Sequence, residues 1–270
     1  MSSYWKYSQL SPLTPELLAR IALNEWQARE GVADVLDEWP NARVAADGRA
    51  PDVVEYNHVG LVRATEDDAD KLLDKTARFF QKRKRVPSLV VDPLATPQDL
   101  PARLAARAWA QAGPADDLML WDPGARHIYT APEVYCVMAT NATLNEWVRI
   151  ATCADPPNIA EQRAALLPLA FRAPGHFFWF ALFDGTHAGA GALFVRDGVA
   201  RVSGVTVLPE YRGKGVGLAL TNFITRQSRK DGAEETYQWV EHGCPLTGIG
   251  QTCGYHVVAE NARSTWQLAE

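Results

Sequence analysis

A chain of 270 residues with 47% hydrophobic content has room for a substantial core, and its length favours two domains over one. A formal charge of -5 argues against a surface built to coat nucleic acid, and the longest apolar runs fall far short of a membrane span. Residues 1–6 lack the apolar core of a signal peptide, so a soluble cytoplasmic protein is expected.

In chain order, residues 12–30 read as a helix and residues 42–51, rich in small and polar side chains, as a loop. Strand character follows at 53–62, an amphipathic helix at 64–84, a strand at 88–91, a helix at 97–110 and a strand at 118–121. The second half opens with a strand at 133–138 and a helix at 144–152, where Thr143 and Glu146 have capping-box spacing. A further helix at 159–171 precedes strands at 177–183, 188–195 and 199–208, joined across Asp184-Gly185 and Asp197-Gly198, which are hairpin signals. A helix at 215–230, a strand at 236–240, a helical turn at 246–252 and a strand at 255–259 complete the chain.

The most informative segment joins the strand at 199–208 to the helix at 215–230. In Arg212-Gly213-Lys214-Gly215-Val216-Gly217, three glycines in five residues let backbone N–H groups turn inward on an anion. The N-terminus of the helix adds its partial positive charge. A Walker loop is excluded because no Ser or Thr follows Lys214. A dinucleotide fingerprint fails because Leu218 and Leu220 stand where its last glycine belongs. What remains is Arg-x-x-Gly-x-Gly, preceded by Val207-Leu208-Pro209-Glu210-Tyr211.

With those residues this segment resembles the acetyl-CoA motif of the GNAT superfamily of N-acetyltransferases. The resemblance implies an α/β (α+β) GNAT fold, a mixed, mostly antiparallel sheet flanked by helices, over residues 131–270. Residues 1–125 resemble the degenerate, partial GNAT-like amino-terminal domain of tandem members. There Ala64-Thr65-Glu66-Asp67-Asp68-Ala69-Asp70 stands in place of the cradle, and its four carboxylates would repel a pyrophosphate.

The resemblance further implies acetyl-CoA as co-substrate. Arg212, Gly213, Lys214, Gly215, Val216 and Gly217 would hold its pyrophosphate, and backbone N–H groups near Thr206, Val207 and Leu208 its pantetheine and thioester oxygen. The implied reaction is direct attack by a primary amine, here of a small molecule. Its ammonium must first lose a proton, and Glu241 and His242, ending the strand at 236–240, are the candidate bases. Arg201 and Ser203 occupy positions where some members place a glutamate. Gly250 stands where many carry a tyrosine that protonates the leaving sulfur, four residues before Gly254-Tyr255. That departure leaves open a non-catalytic acyl-CoA-binding regulatory module, and acetylation of a protein or aminoacyl-tRNA is a third reading. Trp109, Trp147, Arg149 and Trp179 are candidate walls of the acceptor pocket.

Cys136, Cys153, Cys244 and Cys253 form no C-x-x-C pair and have no histidines at zinc spacing, which predicts reduced thiols and no metal. His58, His127, His176, His187 and His256 show no metal spacing either. A monomer or homodimer is compatible with this reading, since an internal tandem pair can replace a homodimer.

Overall fold

A computed structural model of the chain describes residues 11–125 and 131–269; residues 1–6, read above for a signal sequence, and His127 lie outside them. The first half runs α1 (Pro15–Gln27), β1 (Val35–Trp39), β2 (Ala42–Ala46), β3 (His58–Gly60), α2 (Glu66–Gln81), β4 (Ser88–Val91), α3 (Leu100–Ala106), β5 (Trp109–Gln111) and β6 (Asp116–Trp121). The second half runs β7 (Val134–Met138), α4 (Leu144–Ala151), α5 (Pro157–Arg172), β8 (His176–Phe183), β9 (Thr186–Arg196) and β10 (Val199–Val207). It continues with α6 (Val216–Lys230), β11 (Glu235–Glu241), α7 (Leu246–Thr252) and β12 (Tyr255–Leu268).

Differences from the sequence reading have local causes. Of the segment expected as a loop at 42–51, the first half is strand β2, paired with β1, because its residues Val44, Ala45 and Ala46 are fully buried. The expected strand at 53–62 shrinks to β3, since residues 54–56 form a 3-10 turn. The expected helix at 97–110 stops at Ala106, and its last residues enter β5. Thr143 makes no side-chain cap, and Glu146 instead accepts from Arg149 at 2.8 and 2.9 Å.

The strands form one sheet in the order β1-β2-β3-β4-β12-β6-β11-β10-β9-β8-β7, with β5 also on β12. Two strands interlock the halves. β6, from the first half, stands between β11 and β12, with Leu120 opposite Tyr237 and Trp121 opposite Tyr255. β12 runs on past this pairing, placing Thr265 opposite Val90 of β4 and Trp266 opposite Gln111 of β5. The boundary expected near residue 125 divides the halves along the chain, whereas in space each half holds a strand of the other.

Side-chain alternation sorts the layers. Even-numbered residues of β10, Ala200 and Val202, pack with Val216, Leu220 and Ile224 of α6. Val199 and Tyr237 face the opposite way and pack on Leu17 and Ile21 of α1. Gly189 and Gly191 allow the close approach on the α6 side. A Cβ on Gly191 would lie 2.7 Å from Ile224 Cδ1.

Candidate active site

At the end of β10, residues 209–211 form a 3-10 turn, and the chain reverses through Gly213 and Gly215 at φ 75° and 77°. Only glycine adopts that backbone without strain. Gly215 caps α6 and offers no side chain, so the amides of the first helical turn have neither an intrahelical acceptor nor a capping group. They form an open anion site at the positive end of a 15-residue helix. Arg212 Nε donates to the Val207 carbonyl at 3.2 Å, which ties the loop to the strand. The corresponding helix of the first half, α2, is closed to an anion. Thr65 Oγ1 caps it from the Asp68 amide, and Glu66, Asp67 and Asp68 fill its first turn.

β10 and β11 pair only from Val199 opposite Glu235 to Arg201 opposite Tyr237, and then separate. The register of β10 against β9 slips between Ser203 and Thr206, a bulge that holds Gly204 at φ 62°. A cleft of about 740 Å³ opens between the separated strands on the side of α6 and α7. Thr206, Val207, Arg212, Gly213, Gly215, Val216 and Gly217 line it, as do Gln238 and Val240. Leu208 and Lys214 do not. The Leu208 amide is committed to Ala188 O at 2.9 Å, and Lys214 Nζ rests over the Phe183 and Tyr211 rings at 5.3 and 5.2 Å.

A second cavity of about 330 Å³ lies on the α1 side, with Glu25, Trp26, Arg29, His58, Arg201 and Trp239 among its walls. It shares Val202, Ser203, Gly204 and Trp239 with the cleft, so the two spaces meet where the sheet splays. Its electrostatics are set by α1. Glu25 Oε2 accepts from Arg201 at 2.9 Å and Arg263 at 3.2 Å, while Glu25 Oε1 accepts from the Tyr237 hydroxyl at 2.8 Å. Burial pushes the Glu25 carboxyl up, but Arg201, Arg263 and Arg29 together outweigh it and hold it at about 2. Burial, reinforced by Arg29, pushes His58 down to about 3. Its Nδ1 lies 2.8 Å from Val54 O and is therefore the protonated nitrogen of the neutral ring. Burial raises Glu55, but Arg163, Arg201 and Arg29 bring it net below the ordinary range.

Glu241 and His242 end β11, exposed and outside both cavities. His242 Nδ1 lies 2.9 Å from Asp117 Oδ1. Gly250 lies on the cleft, and no side chain fits there. A Cβ would come within 2.3 Å of Gln238 Nε2 and 3.1 Å of Met119 Cε. Gln238 occupies that space. Trp109, Trp147 and Trp179, expected at the acceptor pocket, are core residues instead, with Trp147 Nε1 donating to Trp179 O at 3.0 Å. Arg149 lies on the surface, paired with Glu146. None of the cysteines lines either cavity; Cys136 and Cys253 are pushed by burial to about 12 and stay protonated thiols.

Sequence reading missed Glu25, because Arg201, Tyr237 and Arg263 lie more than 170 residues away along the chain, and with it Arg29, one helical turn on. One signal was available. Leu17, Ile21 and Glu25 recur every fourth residue, so a carboxylate continues an apolar helical stripe. Among the described residues no group of His, Cys, Asp and Glu is placed to hold a metal ion, and no helix is long and apolar enough to cross a membrane.

The splayed sheet carries an open glycine cradle at one end and a polar cavity at the splay. Residues 142–243, from the start of α4 to just past β11, match the acetyltransferase (GNAT) family, so the chain carries a GNAT domain. Among solved structures, a GCN5-related N-acetyltransferase from Kribbella flavida superposes with a TM-score of 0.75 at 18% identity, over 94% of this chain and 96% of that one. A GCN5-related N-acetyltransferase from Sphaerobacter thermophilus gives 0.60 at 13% identity, over 96% and 95%. A tandem GNAT protein from the clavulanic acid biosynthesis pathway gives 0.56 at 15% identity, over 97% and 98%. At these identities the likeness is one of fold. No curated protein matches the sequence significantly.

Proposed function

We propose that the protein transfers an acetyl group from acetyl-CoA to a primary amine of a small molecule by direct attack. The observation that carries this reading is the meeting of two cavities at Ser203, Gly204 and Trp239, one leading from the cradle and one closed by α1. In this reading the amides of residues 213–217 hold the pyrophosphate and pantetheine lies between β10 and β11. The thioester carbonyl reaches the bulge, where backbone N–H groups polarise it. The amine attacks from the smaller cavity, and the tetrahedral intermediate expels the thiolate. Gln238 Nε2, beside Gly250, donates a hydrogen bond to the departing sulfur. A thiol with a pKa of roughly 8.5 leaves as thiolate with that assistance and needs no full proton transfer. A base role for Glu241 or His242 needs a chain of waters from the exposed end of β11 to the splay.

Four unpaired cysteines suit a reducing compartment, and the cytoplasm goes with this reading. A non-catalytic acyl-CoA-binding module is the second reading. It is favoured by the titratable groups of the smaller cavity, since Glu25 and Glu55 are held below the ordinary carboxylate range and His58 at about 3, all poor acceptors for the proton of an ammonium. Calorimetry of acetyl-CoA binding to wild type and Gly215→Glu, followed by thiol release across an amine panel, separates the two. Cradle-dependent binding with release supports the transferase. Binding without release supports the module, and no binding overturns both.

A further inference from the structure

Two residues on the wall of the smaller cavity carry buried donors with no partner among the described residues, Arg201 Nε and Trp239 Nε1. Buried donors are rarely left unmade, because desolvation is costly when no hydrogen bond replaces water. Both belong to side chains lining one space, on adjacent strands and on the same face of the sheet. The charges around the cavity are closely paired. Three guanidinium groups, Arg29, Arg201 and Arg263, surround Glu25, and Arg263 also pairs with Asp116 at 2.8 Å. Glu55 and Asp92, also on the cavity wall, have their own arginines, Arg163 at 2.9 Å and Arg63 at 3.1 Å. Arg29 and Arg201 also lie within the field of the Glu55 carboxylate, and Arg163 is shared with Asp155 at 3.4 Å, so the arginines around the cavity are matched in number by carboxylates.

We infer that the acceptor carries a carboxylate next to its amine, as a free amino acid does, received by Arg201 Nε and Trp239 Nε1. This deepens the acyl-transfer reading and rests on it. Trp239 is shared by both cavities, so a carboxylate held at its N–H leaves an α-amine at the junction with the cleft, whereas a long polyamine would have no counterpart for these donors. Walls from Trp26, Val54 and Val90 suit an uncharged side chain.

The test uses the full chain with acetyl-CoA, comparing L-amino acids with the amines obtained by removing their carboxylate. We expect kcat/KM to favour the amino acid by about tenfold or more, and Trp239→Phe, which keeps a ring but loses the N–H, to shrink that ratio to about twofold through KM. Arg201→Lys, which keeps a charge for Glu25 but lacks Nε, should act likewise. Equal or better turnover of the decarboxylated amines overturns the inference while leaving acyl transfer intact. So does a ratio unchanged in both variants. Where acetyl-CoA binds and no amine reacts, acyl transfer fails, and calorimetry of the CoA-loaded protein decides the rest. Amino acid binding weakened in Trp239→Phe supports the carboxylate site; equal binding of the decarboxylated amine, or no binding of any amino acid, overturns it.

Discussion

Arg201 Nη1 donates to Glu25 Oε2 at 2.9 Å, joining two residues 176 positions apart and coupling the first helix of the chain to the strand before the cradle. Tyr237 and Arg263 reach the same carboxylate, so one side chain of α1 holds β10, β11 and β12 together beneath the acceptor cavity. Removing the charge of Glu25 strands buried guanidinium groups. Glu25→Gln is therefore expected to lose about 3–5 kcal/mol of stability, read as a lowered midpoint in urea unfolding. Glu25→Asp should recover part of the loss.

The exchange of strands predicts that the halves do not fold separately. A fragment of residues 131–270 lacks β6 and leaves β11 and β12 with open edges, a state prone to aggregation. Expressed alone it should be insoluble, and co-expression with residues 1–130 should restore a soluble complex. A soluble, cooperatively unfolding 131–270 fragment would contradict this.

Gly250 and Gln238 should be coupled. Gly250→Ala puts a methyl 2.3 Å from Gln238 Nε2, and the strain should cost about 1–3 kcal/mol. Gln238→Ala should relieve most of it in the double variant, giving a clear interaction energy in thermal denaturation. If Gln238 serves the leaving sulfur, Gln238→Ala should also lower kcat by roughly tenfold with little change in acetyl-CoA affinity.

Stability should fall on the acid side well before ordinary carboxylates titrate. Burial holds His58 at about 3 and His176 at about 4 against an ordinary 6.5, so the unfolded chain takes up protons first as pH drops below 6.5. Glu25, held at about 2, adds to the loss below its ordinary 4.5. By pH 4 the contribution of His58 alone is about 3 kcal/mol. Melting curves from pH 7 to 4 should show a steep decline, and His58→Gln should flatten it while lowering stability at pH 7.

The pH–rate profile tests where the proton of the acceptor goes. In the acceptor cavity Glu25 and Glu55 are held as anions and His58 as the neutral ring, so none of the three changes charge between about pH 6 and 9. With the amine itself supplying the titration, log kcat/KM should rise with unit slope past about pH 8, and His242→Gln should leave the slope unchanged. A bend on the acid limb that disappears in His242→Gln would assign the base to His242.

Much of this was written locally. The glycines of residues 213–217, the hairpin turns and the apolar alternation of β8 to β10 are short-range signals, since φ preference and side-chain periodicity act within a few residues. They sufficed for the order of elements in the second half and the class of fold. What local signals could not carry was β2, whose small residues became a strand because a core closed over Val44 and Ala45. The pairing of β6 with β11 and β12 was equally silent, because strand partners are selected by packing across the whole sheet. The smaller cavity depends on that same long-range assembly. Its Glu25 came from the first helix, its Arg201 and Trp239 from the splayed strands and its Arg263 from the exchanged strand. A turn of consecutive open backbone amides can be read from one segment. A cavity walled by charges on distant segments cannot, and only the tertiary structure brings those together.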